Sequence, residues 1–155
     1  MSSLYGRSQK GQRVYDKRPH NPGKRIHTLA ILSKEGIKAP YHYVGSLSAD
    51  VFITYLKGFV VPILTEGQTI IMDNHPVHCA KSVLKYLIEN TLKFLYLPPY
   101  SPDLNPIEEA FSKFKQSVKK KKVRTLDSLI IVIDDALKTM TRGDSVGYFK
   151  HANEF

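Results

Sequence analysis

Two carboxylates in this chain are spaced as if to share a cation. Asp73 ends the run Thr69-Ile70-Ile71-Met72, and Glu108 closes Ser101-Pro102-Asp103-Leu104-Asn105-Pro106-Ile107-Glu108, with 34 residues between them. A carboxylate at the exit of a buried strand and another in the first turn of a later helix can converge on one divalent cation, the arrangement that metal-assisted phosphodiester chemistry requires. In open α/β sheets, ligands gather at the carboxyl ends of strands, which favours a site at Asp73. Each residue also has a plainer explanation. Asp73-Asn74-His75-Pro76 suits an Asx turn leading into a helix. Asn105 suits an N-cap, Pro106 the first helical position and Glu108 the third, where its side chain can cap back. With the apolar stripe centred on Ile107, Glu108 falls at the stripe's edge, able to line a cleft, and Glu109 falls near the opposite face, toward solvent. Asp103 lies in the loop and reads as a turn organiser.

His75, His78 and Cys79 invite comparison with a zinc site, but their spacing is loose and no second ligand pair stands elsewhere. His78, expected one turn into the helix after Asp73, suits either a group that orients Asp73 or touches substrate, or a satisfied histidine without a chemical role.

The elements needed to position these groups can be read from periodicity and turn signals. Residues 25–33 and 39–45 predict two strands joined at Lys34-Glu35-Gly36 as a hairpin. Ser48 predicts the cap of a helix with apolar positions Phe52, Leu56, Phe59, Val60 and Ile63. A strand over 68–72 delivers Asp73, and Ala80, Val83, Leu84, Leu87 and Ile88 mark an amphipathic helix. Another strand covers 92–97. Pro98, Pro99 and Pro102 then stiffen a loop that continues neither strand nor helix. Ile107, Ala110, Phe111, Phe114 and Val118 form one helical stripe, and Leu126, Leu129, Ile130, Ile133, Leu137 and Met140 mark a last long helix. The order indicates an α/β domain with a mixed sheet flanked by helices. It divides into a basic loop region (1–24), a core with Asp73 and Glu108 (25–122) and carboxy-terminal helices (123–155).

The chain's 155 residues, 42% of them hydrophobic, supply one domain with a single core. No stretch approaches ~18 consecutive apolar residues, and the basic start lacks the apolar middle of a signal peptide, so the chain reads as soluble and cytosolic. Cys79 is the only cysteine, which rules out an internal disulfide and a thiolate metal cluster. The net charge of +9 is concentrated: residues 1–25 carry +6, with Arg7, Lys10 and Arg13 among the cations, and residues 113–124 carry +7, which leaves −4 for the rest. The second block holds Lys113, Lys115, Lys119, Lys120, Lys121, Lys122 and Arg124 without an acid. Such clusters bind a polyphosphate backbone by counterion release, independently of sequence; a lysine run is also what the end of a solvated helix carries.

Asp73-Asn74 with His78, then Leu95-Tyr96-Leu97-Pro98-Pro99-Tyr100-Ser101-Pro102-Asp103-Leu104-Asn105-Pro106-Ile107-Glu108 with Phe111, Lys113 and Lys115, resembles the catalytic core of the mariner-like superfamily of DNA transposases, especially its bacterial insertion-sequence branch. Tyr5-Gly6-Arg7 with Lys10-Gly11 fits the segment after that family's first catalytic strand, so the resemblance spans nearly the whole chain. It implies a ribonuclease-H-like fold and three acidic residues holding two divalent metals, Mg²⁺ or Mn²⁺, for DNA cleavage and strand transfer. Asp73 matches the second acid and Glu108 the third, at the family's spacing, with Asn74, His78 and Asn105 beside them. Phe111 stands where relatives usually carry tryptophan.

By the same pattern the first aspartate belongs on a strand roughly ten residues before Tyr5-Gly6-Arg7. Asp16, the one acid before Glu35, lies among Lys17, Arg18 and Pro19 and is a poor substitute. The sheet is therefore expected to lack its first, central strand, leaving edges unpaired and the fragment unstable alone. The family's helix-turn-helix region is also expected to be missing. The resemblance thus implies a transposase catalytic domain acting on transposon ends and target DNA in a bacterial cytoplasm, near the nucleoid, able to form a homodimer and to take its first aspartate from an upstream fragment. The rival expectations are a catalytically silent DNA-binding or dimerisation fragment and a ribonuclease-H-like nuclease unrelated to transposition.

Overall fold

A computed structural model describes residues 9–12, 26–121, 123 and 125–152. The hairpin forms as expected, from β1 (Ile26–Ser33) and β2 (Gly36–Val44) in antiparallel register. Ser33 secures the two-residue turn, accepting from the Glu35 amide and donating to the Gly36 carbonyl, each at 3.2 Å. Gly36 follows with a φ of 131°, which its missing Cβ permits.

The pairing shifts between Leu29 and Ile31, where Ala39 and Pro40 oppose the single residue Ala30 and Ala39 takes a φ of 52°. This bulge breaks strict alternation. Ile37 therefore packs on one side of the hairpin, while Ala39 and Tyr41 pack on the other.

Ser48 caps α1 (Ala49–Tyr55), its hydroxyl accepting from the Val51 amide at 3.3 Å. The helix then widens into a π-turn over Leu56–Val60 and tightens into a 3₁₀ turn over Val61–Ile63. The extra residue per turn moves the buried stripe onto Phe52, Tyr55, Leu56 and Val60, and leaves Phe59 and Ile63, expected inside, 37% and 43% exposed. Tyr55 is buried with its hydroxyl unsatisfied among the described residues, and burial raises its pKa.

β3 (Thr69–Met72) and β4 (Lys93–Tyr96) pair in parallel, joined by α2 (Lys81–Glu89), the right-sized crossover for such a pair. Val83 and Leu87 are buried on α2 as the periodicity predicts, whereas Ile88 turns outward. Among the described residues the antiparallel and parallel pairs are separate two-stranded sheets. The outer face of the parallel pair presents Ile71 opposite Leu95, both more than half exposed.

α3 (Pro106–Lys120), α4 (Leu126–Lys138) and α5 (Arg142–Ala152) complete the fold. The expected last long helix, marked from Leu126 to Met140, forms as α4, and α5 follows it as a further helix. The break lies at Thr141, whose hydroxyl accepts from the Asp144 amide at 3.1 Å while Asp144 Oδ2 accepts from the Thr141 amide at 2.9 Å, a reciprocal capping box that starts α5. His42 ties β2 to α4, its Nε2–H donating to Asp134 Oδ1 at 3.0 Å.

Two hydrophobic clusters result, with the hairpin between them. Leu29, Ile31, Ala39 and Tyr41 join the cluster of α1, the π-turn, β3 and α2. Ile26, Leu32 and Ile37 join the cluster of Ala110 and Phe114 on α3 with Ile133, Ala136 and Leu137 on α4.

Candidate functional site

Asp73 follows the last residue of β3, with Met72 buried beside it. Its Oδ1 accepts from the His75 amide at 3.1 Å, which is the Asx turn, and from His78 Nδ1–H at 2.7 Å. A carboxylate only accepts, so the Nδ1 nitrogen carries the proton. Among the described residues both bonds fall on Oδ1, which leaves Oδ2 without a bond on a side chain that is 49% exposed. Turn and site readings are therefore compatible, since they use different oxygens.

His78 is not one turn into a helix. It sits in the turn over 76–79 before α2, because Ala80, extended at ψ 139°, delays the helix to Lys81. The His78 ring packs on Phe52 with centroids 4.5 Å apart, and its carbonyl accepts from the Tyr96 hydroxyl at 2.8 Å. Asn74 donates through Nδ2 to the Leu97 carbonyl, and the Leu97 amide donates to the Met72 carbonyl at 2.8 Å. The Asn74 amide nitrogen thus stitches together the ends of β3 and β4, and so helps aim the loop running from Leu97 to α3.

On α3, Asn105 occupies the N-cap position with Pro106 first, but the Asn105 side chain makes no capping bond; only its carbonyl accepts, from the Glu108 amide at 3.0 Å. Glu108 is exposed and its carboxylate has no partner among the described residues, so helix capping does not account for it. Glu109 is exposed, as expected, and its carboxylate accepts from His151 Nδ1–H of α5 at 3.3 Å. Asp103, Asn105, Glu108, Glu109, Ser112 and His151 line a cavity of about 550 Å³. Sequence reading missed His151 entirely, because α5 shows no apolar stripe; the Thr141-to-Asp144 capping spacing was the available signal. Among the described residues no three His, Cys, Asp or Glu side chains cluster closely enough to hold a metal.

Of the basic residues, Lys10, Lys115, Lys119, Lys120 and Lys121 are exposed. Lys113 is already engaged with Asp144, at 2.7 Å. That contact pulls the Asp144 carboxyl down to about 2, helped by the Thr141 amide and hydroxyl. Arg7, Arg13, Lys122 and Arg124, like Asp16, lie outside the described residues.

The sequence family described as DDE superfamily endonuclease matches residues 1–130. The chain belongs to that family. Among curated proteins none matches significantly. Solved structures show the fold of this DDE domain. It is similar to the Mos1 strand transfer complex, with a TM-score of 0.76 and 18% identity over 97% of this chain and 45% of that one. It is also similar to the catalytic domain of Mos1 mariner transposase, with a TM-score of 0.66 and 17% identity over 84% of this chain and 69% of that one. A Mos1 paired end complex with Mn gives a TM-score of 0.73 at 18% identity. The chain therefore spans a little under half the length of the full Mos1 chains it matches, 45% and 46%. The expectations of a DDE-superfamily domain and of a ribonuclease-H-like α/β fold are met. No helix among the described residues is long and apolar enough to cross a membrane.

Proposed function

We propose that this DDE domain supplies Asp73 and Glu108 as two of the metal-binding carboxylates of a DNA-cleaving and strand-transferring site. The observation that carries this reading is the state of the two acids. Asp73 is pinned through one oxygen with the other unbonded, and Glu108 stands unpartnered, among the described residues, at the start of a helix. Oxygen-only carboxylate donors fit Mg²⁺ or Mn²⁺ and suit softer metals poorly. Such ions, when bound, would help activate a water or DNA 3′-hydroxyl and stabilise the departing oxygen. The chain's own residues then have distinct tasks. Asp73 and Glu108 would hold the cations beside the scissile phosphate, His78 fixes the direction of Asp73, Asn74 holds the loop between β4 and α3, and Asn105 is free to meet substrate.

The third carboxylate would come from outside the described residues, on a strand pairing with a free sheet edge. Each sheet has an unpaired edge among the described residues, and the buried Tyr55 hydroxyl wants a partner. Transposon ends and target DNA are the proposed substrates, with a homodimer and an upstream segment bearing a helix-turn-helix as proposed partners, in a bacterial cytoplasm near the nucleoid. A silent DNA-binding fragment is the second reading, favoured by the lack of a three-membered ligand cluster among the described residues.

Binding of Mn²⁺ to the purified chain, followed by electron paramagnetic resonance, tests the assignment: Asp73→Asn and Glu108→Gln should each remove the bound signal, and binding indifferent to both would overturn it. His78→Ala should weaken Mn²⁺ affinity about 10- to 100-fold, the usual effect of removing a group that orients a ligand. Equal affinity in that variant would show the histidine to be structural only.

DNA binding should be weakly sequence-dependent and fall steeply with salt. Replacing Lys119, Lys120, Lys121 and Lys122 by alanine should reduce the slope of log affinity against log salt by roughly 0.9 for every phosphate the chain no longer neutralises. A slope unchanged in fluorescence-anisotropy titrations would make the run a solvated helix end.

A further inference from the structure

Two side-chain pairs fasten α5 to α3. Glu109 and Lys113 are four residues apart and so share one side of α3. Glu109 accepts from His151 at 3.3 Å, and Lys113 donates to Asp144 Oδ1 at 2.7 Å. Asp144 is itself fixed, because the Thr141 amide and hydroxyl both donate to its Oδ2 at 2.9 Å. α5 has no apolar stripe to dock with: its buried residues are Ser145 and Ala152, and Tyr148 alone packs into the neighbouring hydrophobic cluster. The attachment is therefore largely polar and directional. His151 also lines the cavity into which Glu108 opens.

We propose that α5 is the positioning element for Glu108. The Glu109–His151 and Lys113–Asp144 pairs fix the roll of α3 about its axis, and with it the direction in which Glu108 presents its carboxylate to the cavity. This rests on the reading of Asp73 and Glu108 as metal ligands. Among the described residues Glu108 has no side-chain bond of its own to hold it, so the helix must do so. A roll of about 20° would carry a group ~6 Å from the axis through about 2 Å, comparable to a whole metal–oxygen distance. His151 and Asp144 are positioning residues acting through Glu109 and Lys113.

The experiment is titration of the full chain with Mn²⁺ alone, read by electron paramagnetic resonance. His151→Ala should weaken affinity about tenfold, the low end for residues acting behind a ligand. Its circular dichroism should be unchanged, since the side chain is 62% exposed. His151→Asn, whose amide can donate where Nδ1–H did, should restore affinity to within about twofold, and Asp144→Asn should weaken it as His151→Ala does. Wild-type affinity in His151→Ala overturns the proposal. If Mn²⁺ binding ignores Asp73→Asn and Glu108→Gln, the ligand assignment itself has failed. Amide hydrogen exchange then decides the positioning: His151→Ala should speed exchange at Glu109, Ala110 and Phe111 but not in β3, and unchanged protection at those three amides overturns it.

Discussion

Asp73→Asn and Glu108→Gln are expected to bring Mg²⁺-dependent plasmid nicking to background in a protein that carries the third carboxylate. Metal ions contribute several kcal/mol of charge stabilisation at a phosphoryl centre, and each 1.36 kcal/mol is a factor of ten, so losing a ligand should cost roughly 10³-fold or more. Glu109→Gln keeps an oxygen that can accept from His151 and should stay within about tenfold of wild type, since Glu109 lines the cavity beside Glu108 but is already bonded to His151. If no residue outside those described supplies the third group, the present chain, with Asp73 and Glu108 alone, should not nick. Efficient cleavage by it would point to a ligand outside those residues, with Asp16 the first to test. A dead Glu109→Gln beside an active Glu108→Gln would mean that α3 is rotated from the register on which the assignment stands.

The largest stability effect should come from α2. Leu87 is fully buried, while Ile88, its neighbour on the same helix, is 62% exposed. Leu87→Ala should cost about 3 kcal/mol through lost transfer energy and the cavity it leaves. At this size that lowers Tm by roughly 10 °C, a large part of what a marginally stable domain has. Ile88→Ala should shift Tm by a degree or two at most, since substitutions away from the core lie within about 0.5 kcal/mol. Equal shifts in thermal melts of the two variants would contradict the placement of Leu87 inside and Ile88 outside.

Most of the architecture was legible because each element satisfied several signals at once. The hairpin had its turn residues, α1 its serine cap, β3 and β4 their short runs between breakers. The failures share a cause: period-based reading assumes a regular backbone. The π-turn after Tyr55 adds a residue to one turn and exchanges Phe59 for Tyr55 as a buried aromatic, and the bulge at Ala39 does the same to a strand. α5 escaped because polar pairs dock it, so its sequence carries no stripe. At the site, the acids stood out by type and spacing, but their partners did not. That His78 bonds Asp73 while Asn74 bonds a strand end follows from where the turn over 76–79 places them, and no local pattern encodes it. Asn105 is the reverse case: a well-suited capping residue by sequence whose side chain does not cap.

The hairpin touches both hydrophobic clusters, and the two acids belong to different ones: Asp73 follows Met72 of the first, and Glu108 precedes Ala110 of the second. If both bind metal, the gap they span is gauged by the thickness of a partition that carries neither of them. Leu29 and Ile31 on one side, and Leu32 and Ile37 on the other, act as shims. Trading one for a slightly larger or smaller side chain would be expected to change how the two clusters sit on the hairpin, and with them the two acids, without touching either acid. Catalytic drift in such a protein can therefore accumulate in two strands that hold no chemistry of their own.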